Sequence, residues 1–154
     1  MTFEMPRPGP EHEKLAAMCG EFLGEEVMLP SPWSPERQER TSTLTARMLE
    51  SFFVVSDYEQ FAGDEVVFRG HGVYSWDPQS EHYKMHWFDS MGGAGGIAEG
   101  HMEGNVLTFR NQSPMGHHRY RYTFEENATR FEMACSEDGE AWQTLMEGNY
   151  RRAD

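Results

Sequence analysis

The sequence has little that would direct it to a membrane or to an oxidising compartment. No run of apolar residues approaches the roughly 18 that a membrane-spanning helix needs. The first ten residues, Met1 to Pro10, hold no apolar segment of the kind found in signal peptides. Two cysteines, Cys19 and Cys135, are too few for a disulfide framework and lack a CxxC spacing. We therefore expect a cytoplasmic protein in which both thiols stay reduced.

Basic residues are also scarce. The chain has 13 Lys and Arg against 26 Asp and Glu, which gives a formal net charge of -13. A field of this sign repels phosphate backbones and anionic lipids. We therefore expect neither nucleic acid nor a membrane as a partner, and the acidity also serves to keep a protein dispersed in water.

Familiar catalytic signatures are missing as well. There is no GxSxG elbow for a nucleophilic serine and no CxxCH motif for covalent haem attachment. The glycine run from Gly92 to Gly96 is followed by neither a lysine nor a predicted helix, so it does not read as a phosphate-binding loop. The sequence leaves open whether the protein is an enzyme.

What the sequence does contain is a succession of short alternating segments separated by turn residues. Its 154 residues suit one domain, which we expect to span 1–154. Three prolines predict an extended arm over 1–10, and a helix-prone stretch over 11–19 ends before Gly20. Residues 20–152 then show strand alternation without a further helical period.

The alternating segments predict about ten strands. They lie near Gly20–Leu29, Glu39–Met48, Phe52–Phe61, Glu65–Trp76, Glu81–Asp89, Ile97–Glu103, Val106–Asn111, His117–Glu125, Thr129–Ser136 and Ala141–Arg152. Because no helix separates them, they favour an antiparallel meander over a parallel sheet. Closure of the sheet removes its exposed edges. The predicted fold is all-β: a closed antiparallel up-and-down barrel of about ten strands with one short N-terminal helix.

Alternation also assigns faces to the strands. The predicted inward sets are Tyr83, Met85, Trp87 and Asp89; His118, Tyr120, Tyr122 and Phe124; Phe131, Met133 and Cys135; and Trp142, Met146 and Tyr150. The two central strands carry apolar residues on both faces. For them we expect Phe53, Val55, Asp57, Phe68 and Tyr74 to point inward.

Several short motifs resemble those of a largely bacterial, uncharacterised family known as domain of unknown function 1579. They are Pro8-Gly-Pro-Glu-His12, Ser31-Pro-Trp33, Asp57-Tyr-Glu-Gln60, Phe68-Arg-Gly-His-Gly-Val73, Trp87-Phe-Asp-Ser-Met-Gly92, Ser113-Pro-Met-Gly116 and Met146-Glu-Gly148. The opening Gly20-Glu-Phe-Leu-Gly24 resembles the calycin Gly-x-Trp-x-Gly, with Phe22 in the place of Trp. The resemblance implies a lipocalin-like (calycin) barrel. Calycins bind fatty acids, retinoids, bilins or haem inside the barrel.

The barrel size and the residue types predict a ligand cavity. Ten strands make a barrel wider than the roughly eight-stranded size that side chains fill. The chain holds 11 Met, 10 Phe, 6 Tyr and 4 Trp, which suit an adaptable apolar pocket. We therefore expect binding of a small hydrophobic or aromatic molecule. The expected pocket residues are Trp33, Trp87, Met115, Tyr120 and Trp142, with Asp57, Asp89 and His118 as polar contacts.

Two other functions stay open. A carboxylate inside an apolar barrel is a candidate general acid or base, so Asp89 or Asp57 could serve a cofactor-free isomerase, cyclase or hydratase. Alternatively, Asp89 only ties down the loop that starts at Ser90. A barrel packed shut would instead be a dimerisation module, with a second copy as the partner.

Histidines raise a metal and a haem alternative. Folding the hairpin about residues 77–81 sets His71 roughly opposite His86, with His101 on the next strand, in a row that could bind Zn²⁺. Because alternation places His86 on the solvent face, we expect solvated histidines and no metal. His118, predicted to point inward, is the candidate proximal ligand for haem. Otherwise we expect no cofactor.

Overall fold

The protein is described by a computed structural model that covers residues 2–153. A short helix α1 (Pro10–Lys14) continues into a 3₁₀ turn (Leu15–Met18). Ten strands follow: β1 (Gly20–Met28), β2 (Gln38–Leu49), β3 (Phe53–Ala62), β4 (Glu65–Asp77), β5 (His82–Asp89), β6 (Gly96–Glu103), β7 (Val106–Ser113), β8 (Gly116–Phe124), β9 (Ala128–Ser136) and β10 (Gln143–Arg152). Each strand pairs antiparallel with its neighbour in the chain, and β10 pairs with β1. The predicted closed up-and-down barrel is confirmed.

The segment before β1 covers one end of the barrel, which we call the helix end. Leu15 and Met18 are buried and pack into the core beside Val54 and Tyr74. The hydroxyl of Tyr83 donates to the backbone carbonyl of Glu11 at 2.7 Å and to its carboxylate at 2.9 Å. The predicted helix over 11–19 is thus half α-helix and half 3₁₀ turn, and it acts as a plug.

The opposite end, which we call the loop end, is formed by the longer connections. The segment between β1 and β2 (29–37), the loop between β5 and β6 (90–95) and the connection between β9 and β10 (137–142) all meet there. Because consecutive antiparallel strands alternate in direction, every second connection falls at the same end.

The core is aromatic and has two parts. The larger cluster lies towards the helix end and contains the buried side chains Tyr74, Tyr83, Met85, Leu107 and Phe109, among others. The smaller cluster joins the buried side chains Phe22, Tyr58 and Tyr150 to the half-buried Leu44, Phe68, Trp87 and Phe131. Most of the fully buried inward-facing side chains therefore lie at the helix end of the barrel.

The predicted inward face of β3 is wrong, because the alternation was assigned one residue out of step. In β3 the inward, buried residues are Val54, Ser56, Tyr58 and Gln60. Asp57 therefore lies on the outer face, together with Phe53 and Val55. The side-chain period of a strand is two, so an error of one position exchanges the faces. In β3 both faces carry apolar residues, and alternation could not decide between them.

A β-bulge places Trp142 on the outer face. The register between β10 and β9 shifts between Thr144 and Met146, so one additional residue reverses the side-chain alternation. Met146 and Tyr150 are buried inside the barrel as predicted. Trp142, expected on the same wall, instead packs on the guanidinium of Arg119 at 4.6 Å from its ring centroid.

Two further observations concern the part of the chain that the structure describes. In residues 2–153 no helix combines the length and the apolar character needed to cross a membrane. Nor do these residues contain three or more His, Cys, Asp or Glu side chains grouped to hold a metal ion. His71 lies opposite Phe88 across the β4–β5 ladder, and not opposite His86.

Candidate functional site

The lumen is filled at the helix end and accessible at the loop end. Inward-facing side chains near the helix end, such as Tyr74, Met85 and Phe109, are fully buried. Nearer the loop end the inward-facing side chains are only half-buried: Phe68 and Trp87 on one wall, and Tyr120, Phe131 and Met133 on the opposite one. Barrel walls surround these residues, so they can meet solvent only within the lumen. This part of the barrel therefore holds accessible apolar surface.

The indole of Trp87 packs against β4 over Gly70, which lies diagonally across the ladder and has no side chain; Gly72 is the residue directly opposite Trp87. A Cβ atom on Gly70 would lie 2.2 Å from Cζ2 of the indole. The indole N–H donates to Oδ2 of Asp89 at 2.8 Å. The other oxygen of Asp89, Oδ1, accepts the backbone N–H of Met91 at 2.9 Å. Asp89 thus orients Trp87 and ties down the loop between β5 and β6.

A buried carboxylate occupies the neighbouring wall. Glu26 is 1% exposed, and its Oε2 accepts hydrogen bonds from the hydroxyls of Tyr58 and Tyr150, each at 2.5 Å. Its Oε1 accepts one bond from Nε2 of Gln60 at 3.2 Å. Across residues 2–153 no Lys, Arg or His nitrogen forms an ion pair with it. We call Glu26, Tyr58, Gln60 and Tyr150 the Glu26 cluster.

Strand alternation and ladder register build this cluster. On β1 the inward positions are Phe22, Gly24 and Glu26. β10 and β2 flank β1, and β3 follows β2, so Tyr150 and Tyr58 approach the same carboxylate from either side. Gly24 makes room for the ring of Tyr150, since a Cβ there would lie 2.6 Å from Cδ1 of that ring.

The two tyrosines are fixed as donors. Burial, followed by the charge of Glu26, raises the pKa of Tyr58, and the same two causes raise the pKa of Tyr150. Both phenols therefore keep their protons at neutral pH. Close to them, the hydroxyl of Ser42, a residue 3% exposed, has no hydrogen-bond partner in the described chain.

His118 faces the lumen near the loop end. Its Nε2 lies 2.9 Å from the hydroxyl of Ser113. Burial, with a contribution from the neighbouring His117, lowers the pKa of His118, so the imidazole is neutral at pH 7. A neutral imidazole is the form that ligates iron, so this residue suits the role of a haem ligand once its bond to Ser113 is given up.

The remaining predicted site residues are divided between the lumen and the surface. Tyr120 is half-buried and packs against the larger core cluster. Trp33 and Met115 lie in connections at the loop end and are 58% and 63% exposed. The side chain of Asp57 is 73% exposed and pairs with Nδ1 of His71 at 2.8 Å. Of the predicted residues, Trp87, Asp89, His118 and Tyr120 therefore share the loop-end lumen.

Sequence reasoning missed the Glu26 cluster as a site. A glutamate beside another glutamate reads as a solvent-facing pair, and Glu25 is indeed exposed. The sequence did contain one signal for a buried Glu26. If Phe22 and Gly24 point inward, the two-residue alternation of the strand places Glu26 inward as well. Tyr58 and Gln60 alternate with Asp57, so the expectation that Asp57 points inward left them out of the predicted lumen.

Comparison with known proteins identifies the fold and the family. The crystal structure of Rv2717c from M. tuberculosis is similar with a TM-score of 0.72, covering 96% of this chain and 100% of that chain. The sequence identity is 11%, so the likeness concerns the fold alone. No functionally curated protein matches this chain. The family described as "Protein of unknown function (DUF1579)" matches residues 7–152, and the chain belongs to that family.

Proposed function

We propose that the protein binds a small apolar or aromatic molecule in the lumen, entering at the loop end. The observation that carries the proposal is the half-buried state of the inward-facing side chains there. Its walls are formed by Phe68, Trp87, Tyr120, Phe131 and Met133.

Apolar surface inside the barrel gains from being covered. Burial of such surface is worth about 25 cal/mol per Å², and a ligand would supply the burial that the side chains themselves do not complete. Thioether and aromatic side chains adapt to flat or flexible molecules. The plug at the helix end closes the other route to the lumen.

The acid-base alternative receives less support from the geometry. Asp57 lies on the outer face, and both oxygens of Asp89 already accept hydrogen bonds. Binding, and not turnover, is therefore the function that this arrangement favours.

The proposal is tested by titration with N-phenyl-1-naphthylamine, a neutral apolar fluorescent probe. Met133→Trp adds an indole to the inner face of β9 and should weaken probe binding about tenfold or more. Arg130→Trp adds the same group to the exposed outer face of that strand and should leave binding unchanged. Equal effects of the two variants, or no binding by the unaltered protein, would overturn the proposal.

Native mass spectrometry of protein from its own host provides a second, independent measurement. A mass above the denatured value that matches a small organic molecule supports the proposal. A Soret band would replace it with haem binding. A ligand-free dimer that also fails to bind the probe would replace it with a packed dimerisation module.

A further inference from the structure

The Glu26 cluster sets the chemistry of the ligand. We infer that the lumen selects molecules that carry a protonated amine on an apolar body, and that it discriminates against fatty-acid-like anions. The inference rests on the proposed function and deepens it.

The first support is a buried carboxylate without a cation. The three hydrogen bonds to Glu26 come from neutral groups, the hydroxyls of Tyr58 and Tyr150 and the amide of Gln60. Removing a carboxylate from water is costly unless a positive charge compensates it. An ammonium group in the adjoining lumen would supply that charge.

The nearest candidate cation is turned away from the carboxylate. Arg40 lies directly opposite Glu26 in the β1–β2 ladder. Its guanidinium donates instead to Oε1 of Gln38 at 2.8 Å and to the carbonyl of Glu39 at 3.0 Å. This wall of the barrel thus contains the carboxylate of Glu26, while the guanidinium of Arg40 binds other groups.

The second support is the type of polar group left unsatisfied. Oε1 of Glu26 accepts one long bond, at 3.2 Å, and retains capacity for another. The hydroxyl of Ser42 has no partner, and Oδ1 of Asn111, on the inward face of β7, has none either in the described chain. Oε1 of Glu26 and Oδ1 of Asn111 can only accept hydrogen bonds, so they favour a ligand rich in donors over a carboxylate, whereas the Ser42 hydroxyl can donate or accept and does not discriminate.

The third support is the aromatic surface beside the carboxylate. The ring of Tyr58 lies with its centroid 6.2 Å from that of Phe68 and 6.3 Å from that of Trp87. Aromatic faces attract cations, most strongly when water is excluded. The net charge of -13 also favours the approach of cationic ligands over anionic ones.

The test compares three ligands with the same twelve-carbon chain: dodecylamine, dodecanol and dodecanoate. Each competes at pH 7, below its micellar range, with N-phenyl-1-naphthylamine bound to the intact protein. We expect dodecylammonium to displace the probe at a concentration about tenfold lower than dodecanoate does, with dodecanol between them. Equal displacement by the amine and the alcohol, or a preference for dodecanoate, overturns the inference.

Matched variants on β1 attribute the preference to one residue. Glu26→Gln should reduce the preference for the amine over the carboxylate to about threefold or less. Glu25→Gln, on the exposed outer face, should retain the full preference. Retention of the preference in Glu26→Gln overturns the inference. Because Glu26→Gln could fail to fold, the three-ligand comparison on the unaltered protein stands by itself.

The two proposals fail in different ways. If the probe binds but none of the three ligands displaces it with a charge preference, the inference is wrong and the proposed function stands. If the probe itself does not bind, the proposed function is wrong as well.

Discussion

Removing the two phenol donors of the Glu26 cluster gives a direct measure of what that cluster contributes to stability. Tyr58 and Tyr150 are buried, and each donates to the same carboxylate oxygen at 2.5 Å. A hydrogen bond to a charged group is worth about 1.5–3 kcal/mol. We therefore expect Tyr58→Phe and Tyr150→Phe each to lower the free energy of unfolding by about 2 kcal/mol. For a chain of this size that corresponds to a fall in Tm of about 4–8 °C.

The double variant should lose more than the sum of the two. After one substitution the remaining phenol still solvates Oε2, whereas after both only the amide of Gln60 contacts the carboxylate. We expect a coupling of about 1 kcal/mol, within the usual range for residues that share one partner. The measurement is urea unfolding of the four proteins of the cycle, followed by circular dichroism and by tryptophan fluorescence.

Tyr83→Phe is the matched comparison. Its hydroxyl also donates to a carboxylate, but that of Glu11, at the rim of the helix end, where water can replace the lost partner. The loss there should stay below about 1 kcal/mol. The reasoning is refuted if Tyr150→Phe costs no more than Tyr83→Phe, or if the double variant is strictly additive.

Three further predictions concern the plug, an acidic turn and a thiol. Leu15→Ala should destabilise the protein by about 2–5 kcal/mol in urea unfolding, because the side chain is fully buried. Glu13→Ala, exposed on the same segment, should stay within about 0.5 kcal/mol, and equal losses would contradict the plug. The backbone N–H groups of Ala141 and Glu140 lower the pKa of Asp138 from 3.8 to about 2. Its contribution to stability is therefore present above pH 4 and is lost as the pH falls towards 2. Urea midpoints measured between pH 5 and 2 should fall less steeply for Asp138→Asn, and parallel curves would count against this assignment. Burial raises the pKa of the Cys19 thiol, so iodoacetamide should alkylate it more slowly than glutathione at pH 8, as followed by mass spectrometry. Alkylation of Cys19 faster than that of glutathione would refute this prediction.

The architecture was predictable because turn residues and alternation are local signals. At most strand ends, the predicted and observed terminal residues differ by no more than about two positions. The helix was predicted too long because the sequence does not distinguish a 3₁₀ turn at Leu15–Met18 from a continued α-helix.

The faces of two residues were not predictable, for two different physical reasons. Asp57 depended on choosing between two apolar faces of β3, a choice that only the neighbouring strands decide. Trp142 depended on an additional residue between Thr144 and Met146, and a bulge leaves no clear mark in a single sequence.

The polar part of the site was the least predictable. A buried glutamate is rare and can be inferred only when its partners are known. Those partners lie on β3 and β10, far from Glu26 in the chain, so only the closed barrel brings Tyr58 and Tyr150 together around it.

The pairing of β1 with β10 has a consequence for biosynthesis. Phe22 lies opposite Arg152, so the contacts that complete the ring join residues 130 positions apart. During translation the earliest strand must wait, with one edge unpaired, until the latest one has left the ribosome. Contacts of such long range form slowly, and the waiting edges are the places where nascent chains of this kind are most open to pairing with one another.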